Sequence, residues 1–227
     1  MSANEPRIAR HGDLRRALWA LALGVAAGTT AILLLLLRPS HERAVSTTPP
    51  SSQAPAATWS AGKLHAPDFR LTDQRGRPIS LAGLRGRPVI VTFIDPLCRD
   101  YCPIEARGLT DVVNAFPANA KPVVVAVSVN VYGNSHANLF TDIRKWKLPP
   151  EWRWAVGPSA TLARAWHNYH VEVLVSTRKI AGVTVHRIAH TEAAYVVDAH
   201  GFQRALFLWP YRSDAVVRTL RLLAAKP

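Results

Sequence analysis

Residues 88–130 read "PVIVTFIDPLCRDYCPIEARGLTDVVNAFPANAKPVVVAVSVN". Two β-branched apolar runs, 88–95 and 122–130, have the composition of strands buried on both faces of a sheet. Between them, Ile104, Leu109, Val112, Val113 and Phe116 recur at helical spacing. Strand, helix, strand is a βαβ unit, and its right-handed crossover places both strands parallel in one sheet. Both cysteines of the chain, Cys98 and Cys102, fall just past the first of these strands. Ligands commonly sit at that end of an open α/β sheet.

The flanking segments extend the pattern. Upstream, "FRLTDQRGRPISL" (69–81) predicts a β-hairpin turning at Gly76. Downstream follow a helix over 135–146, a short strand around "WRWAV" and a helix begun by Ser159. Then "EAAYVVD" and "FQRALFL" flank "AHG" as an antiparallel hairpin, and an amphipathic helix capped by Ser213 or Asp214 closes the chain. This order predicts an α/β, thioredoxin-like fold, a central mixed sheet flanked by helices with an N-terminal β-hairpin. The stretch 171–187, "VEVLVSTRKIAGVTVHR", reads equally as a flap or as a second hairpin over the cysteines.

The first 60 residues read differently from the domain that follows. Residues 17–37 form an uncharged run of 21 residues, about 30 Å long as a helix and so matched to a bilayer core. Arg7, Arg10, Arg15 and Arg16 precede it, whereas only Arg38 and Arg43 follow, with Glu42 beside them. The positive-inside rule therefore predicts a transmembrane anchor with 1–16 cytoplasmic and the remainder outside the cell membrane. Residues 38–60, rich in Pro, Ser, Thr and Ala, read as a linker to a domain spanning 61–227. The formal charge of +13 comes from basic residues scattered singly. Without a Lys/Arg block interleaved with aromatics, that charge implies no nucleic-acid partner.

Two thiols four residues apart admit three uses. A structural staple would close so small a loop that it constrains little of the unfolded chain. A thiol–disulfide couple is chemically available, although three residues separate the cysteines and no proline precedes "AAYVVD". A metal clamp needs a third ligand, and soft sulfur selects Cu(I) or Zn. His190, in the loop leading to the C-terminal hairpin, is the candidate in a thioredoxin-like layout, with His186 in reserve. Met1 is the only methionine, which excludes an axial Met ligand within the domain. Pro103 suits the first position of a helix, placing Cys102 at its positive end, where a thiolate is favoured.

These residues resemble the Sco/SenC family of membrane-anchored copper proteins. "APDFRLTDQRGRPISLAGLRGRPVIVTFIDPLCRDYCP" is similar to that family's opening hairpin and CxxxCP loop, and "HTEAAYVVDAHG" to its downstream His, strand and turn. The resemblance implies that Cys98, Cys102 and His190 bind one copper ion, Cu(I) or Cu(II). It also implies a partner, the copper-site subunit of a haem–copper oxidase, and a copper donor protein. The same cysteines would be the redox pair of a reductase acting on that partner's copper-ligand cysteines. The chain departs from the family pattern at Arg99, where proline is usual, at Pro96, where Thr or Ser is usual, and in "SVNVYGNSHANL", which replaces an acidic pattern. A peroxiredoxin loop would carry Thr or Ser where this chain has Asp95, and Pro where it has Val91.

Overall fold

The computed structural model describes residues 54–224, together with Trp19. The segment 1–16 expected to be cytoplasmic, the expected anchor 17–37 (Trp19 apart) and most of the expected linker lie outside the described residues. Among the described residues no helix is long and apolar enough to cross a membrane.

Six strands form a mixed sheet in the order β1-β10-β9-β4-β5-β6. They are β1 (Ala57–Thr58), β4 (Val89–Ile94), β5 (Val123–Ser128), β6 (Trp152–Ala155), β9 (Ala193–Val197) and β10 (Gln203–Leu208). β4, β5 and β6 run parallel, whereas β9 lies antiparallel to β4. β2 (Leu71–Thr72) and β3 (Pro78–Ile79) make the predicted N-terminal hairpin, with Gly76 at φ 75°. β1 begins inside the stretch read as linker and pairs with Leu206 and Ala205 of β10.

Alternation along the strands builds two cores. Ile90 and Ile94 of β4 and Val124 and Ala126 of β5 face α1 (Cys102–Asn114) and α4 (Ser213–Ala224). Val89, Val91 and Phe93 face the other layer, where α3 (Ser159–Asn168) contributes Leu162 and Ala165 beside Phe69 and Leu71. α2 (His136–Lys145), capped by the Ser135 hydroxyl on the N–H of Asn138, adds Leu139 to the first layer. All of these core residues come from the compact unit Pro49–Pro227. It therefore carries its own core, what folding as a separate fragment requires. Ile104, expected in the apolar set of α1, is exposed instead. It stands five residues, about 140° of rotation, from the buried Leu109.

The undecided stretch is a hairpin. β7 (Val173–Ile180) pairs with β8 (Val183–His190) through an Ala181–Gly182 turn with φ of 48° and 82°. Positive φ at both turn residues suits the right-handed twist of the ribbon. Val173 opposes His190 at its base and Ile180 opposes Val183 at its tip.

Candidate metal and redox site

β4 ends at Ile94, and the chain bends at once. The Asp95 carboxylate accepts the N–H of Leu97 (2.7 Å) and the side-chain amide of Asn130 (2.8 Å), while its carbonyl accepts the N–H of Cys98 (3.1 Å). Gly133 allows this loop to lie close: a Cβ there would meet Leu97 Cγ at 3.0 Å and Pro96 Cβ at 3.2 Å. Arg99 then fastens the loop from outside. Its Nη1 donates to the carbonyls of Cys98 (2.8 Å) and Pro96 (3.0 Å) and lies 3.4 Å from Asp142 Oδ1. Asp142 is 0% exposed and its Oδ2 has no partner. Burial pushes its carboxyl up to about 6, against the opposing pull of Arg99.

α1 begins at Cys102 with Pro103 in its first turn, as the sequence predicts. The thiolate, however, belongs to Cys98 rather than Cys102. Cys102 is 2% exposed and its thiol donates to the Cys98 sulfur. The Cys102 N–H points at the same sulfur (3.4 Å), joined by the N–H groups of Asp100 and Tyr101. The open end of the helix therefore solvates the half-buried Cys98. Its thiol is pulled down to about 6, chiefly by the Cys102 S–H, although burial opposes the shift. That same hydrogen bond, followed by burial, pushes the Cys102 thiol well up. Both cysteines are free.

Cys98 and Cys102 share a cavity of about 940 Å³ with His190, His186, Asp95 and Glu192. His190 ends β8 and lines this cavity. Its Nδ1 faces the Thr191 carbonyl at 3.1 Å, and since a carbonyl only accepts, Nδ1 carries the proton. In the neutral ring Nε2 then keeps its lone pair, the form in which imidazole ligates a metal. His186 is engaged elsewhere: its ring stacks flat on Tyr132 at 3.7 Å, and its Nδ1 bonds the Thr177 hydroxyl. Burial raises the Glu192 carboxyl, partly offset by His190 and reinforced by Cys98, so all three share one electrostatic neighbourhood. Two sulfurs and one imidazole nitrogen are a donor set suited to copper. Among the described residues, no three His, Cys, Asp or Glu side chains are already drawn around one point where an ion could be held. Closing the three donors on an ion therefore requires His190 and the cysteine loop to approach across the cavity.

Glu105, Asn130 and Asp142 are not singled out by the sequence reading, and Arg99 is named there only as a departure from the family pattern. Glu105 had a visible signal. With Cys102, Ala106, Leu109, Val112 and Val113 it lies on one helical stripe, an acid in an otherwise apolar face. Its Oε1 accepts the hydroxyls of Thr92 (2.7 Å) and Tyr211 (2.9 Å), and burial raises its carboxyl to about 7. Asn130 follows the end of β5, beside the end of β4, where neighbouring parallel strands bring their loops together.

The SCO1/SenC family model matches residues 58–225. The fold is similar to that of copper-bound ScoI of Bradyrhizobium japonicum, at a TM-score of 0.61 and 22% identity, covering 70% of this chain and 99% of that one. It is also similar to BsSco, described as a member of the Sco family of cytochrome c oxidase assembly proteins with a disulfide switch. That match has a TM-score of 0.59 and 18% identity, covering 75% of this chain and 99% of the other. In sequence, 83 residues are 32% identical to the chloroplastic peroxiredoxin Q of Sedum lineare, 37% of this chain. The match spans 42% of that curated relative's length. Val91 is buried in β4 and Asp95 shapes the loop, so neither supplies the proline or hydroxyl of a peroxidatic loop.

Proposed function

This chain belongs to the SCO1/SenC family, and on that premise we propose that it holds one copper ion between Cys98, Cys102 and His190 and delivers it to the copper-site subunit of a haem–copper oxidase. The observation that carries the reading is that His190, its Nδ1 held by the Thr191 carbonyl, lines the same open cavity as Cys98 and Cys102. Thiolate and neutral imidazole suit copper, and an open face admits a partner's ligands for exchange. The copper bound to ScoI and the assembly role given to BsSco point the same way. The apolar run 17–37 anchors the protein in this reading, with 1–16 cytoplasmic, a linker, and the domain on the outer face.

Copper titration of the reduced fragment 49–227, with metal analysis and electron paramagnetic resonance, tests it. One bound copper is expected, its spectrum altered or lost in His190→Ala and its affinity severely weakened in either Cys→Ala variant. Equal copper affinity in His190→Ala overturns the three-ligand site.

The acidity split between the two cysteines favours a second reading, a thiol–disulfide reductase. The Cys98 thiolate attacks a partner disulfide, forming a mixed disulfide and releasing one partner thiolate. Cys102 then loses its proton and attacks the Cys98 sulfur, releasing the second thiolate; the partner gains two electrons and Cys98–Cys102 becomes the disulfide. Reduction that survives His190→Ala but is lost in either Cys→Ala variant identifies this activity.

A further inference from the structure

β4 and β5 run toward the cysteine cavity and β9 runs away from it, so the same three strands have a second end. A separate cavity of about 540 Å³ opens there. Six strand residues at roughly 3.3 Å each put it about 20 Å from the cysteine loop. Its volume is that of a small-molecule site.

The interior is apolar and the rim is cationic. Phe116, past the end of α1, and Leu220 and Leu223 of α4 supply much of the apolar surface. The one acid of the lining, Asp198, is fully occupied. Its Oδ1 accepts the N–H groups of His200 and Phe202, and its Oδ2 accepts Arg204 at 3.0 Å. Arg204 is neutralised by the same contact. Arg87 uses only Nη2, on the Lys121 carbonyl (2.8 Å), and no acid pairs with Arg87 or with the Lys121 ammonium among the described residues. Two uncompensated cations therefore border an apolar chamber whose only carboxylate is already satisfied.

We propose that this cavity binds an anionic amphiphile, its apolar chain against Phe116, Leu220 and Leu223 and its carboxylate or phosphate head on Arg87 and Lys121. The inference is independent of the copper reading, because it uses no residue of the cysteine cavity. Ala61 and Gly62, just after β1, line the same cavity. A lipid of the anchoring bilayer and a free fatty acid carry the same recognisable chemistry.

Amide-resolved NMR titration of the fragment 49–227 tests the proposal with decanoate, short-chain dihexanoyl phosphatidylglycerol and uncharged decanol. Saturable shifts at Phe116, Lys121 and Phe202, without shifts at Cys98 or Cys102, are expected for at least one anionic probe. Arg87→Met and Lys121→Met, both surface changes, should each weaken that binding about tenfold, the effect of one charge-assisted hydrogen bond, and leave decanol unaffected. Binding of decanoate alone assigns a free fatty acid, and binding of the phosphatidylglycerol a lipid head. Decanol binding as tightly as the anions, no saturable shift with either anion, or affinity unchanged in both variants overturns the proposal.

Discussion

Removing the Cys102 thiol should change the reactivity of Cys98 in a direction that depends on pH. In the metal-free protein Cys98 is pulled from 9.0 to about 6, with the Cys102 S–H the largest contributor and the helix N–H groups secondary. Cys102→Ala deletes the first and keeps the second, so the inflection should rise by about one unit or more. At pH 6 a shift from about 6 to about 7 cuts the thiolate fraction from about a half to about a tenth. The more basic thiolate is intrinsically about threefold more nucleophilic. Net alkylation at pH 6 is therefore about twofold slower in the variant, whereas above pH 8 it is about threefold faster. The two profiles cross. Iodoacetamide alkylation of Cys98 from pH 5 to 9, followed by mass spectrometry with chelator present, reads this directly. Cys102→Ser, whose hydroxyl also donates, should retain a low inflection. An unmoved inflection in Cys102→Ala, or an equal shift in the Ala and Ser variants, would refute the assignment of the S–H as the dominant donor.

Glu105 and Asp142 extend the pH argument to stability. The Glu105 carboxyl is raised from 4.5 to about 7 in the folded state, so the native protein binds the extra proton and stability falls as pH rises from about 4.5 to 7. Glu105→Gln should remove that loss, on the order of 3 kcal/mol, seen as a flatter denaturation midpoint between pH 5 and 8; parallel curves for both proteins would sink the idea. Arg99→Ala strips the buried Asp142 carboxylate of its cation. It should cost about 1 kcal/mol at pH 8, discounted because the Arg99 end is half exposed. The penalty should shrink below pH 6 as Asp142 is protonated, which thermal melts at the two pH values would show.

Much of the fold was legible because burial leaves regular traces. β4 and β5 are continuous apolar runs, α1 carries a 3.6-residue stripe, and Gly76 marks a turn. The β7–β8 ribbon resisted reading because most of its residues face solvent, leaving little hydrophobic alternation, and because its turn is Ala-Gly rather than Asn-Gly. β1 has only two residues and is held by backbone pairing to β10, which no side-chain pattern announces. The sequence reading names Cys98, Cys102 and His190 together, and all three line one cavity. Which sulfur is ionised was not. Helix position alone assigns the charge to Cys102, whereas the first N–H groups point back at Cys98 and burial closes off Cys102. Arg99–Asp142 is likewise a contact between residues 43 apart in the chain.

The β7–β8 ribbon also sets how far each of its histidines can travel. His190 is paired with Val173 at the base, His186 lies four residues further out, about 13 Å, and the Ala181–Gly182 turn is at the far tip. If the ribbon pivots at its root, displacement grows with distance from the fulcrum. His190 sits almost on the axis and barely moves while the tip sweeps widely. Swinging the ribbon outward would uncover the cavity mouth while leaving His190 where it stands.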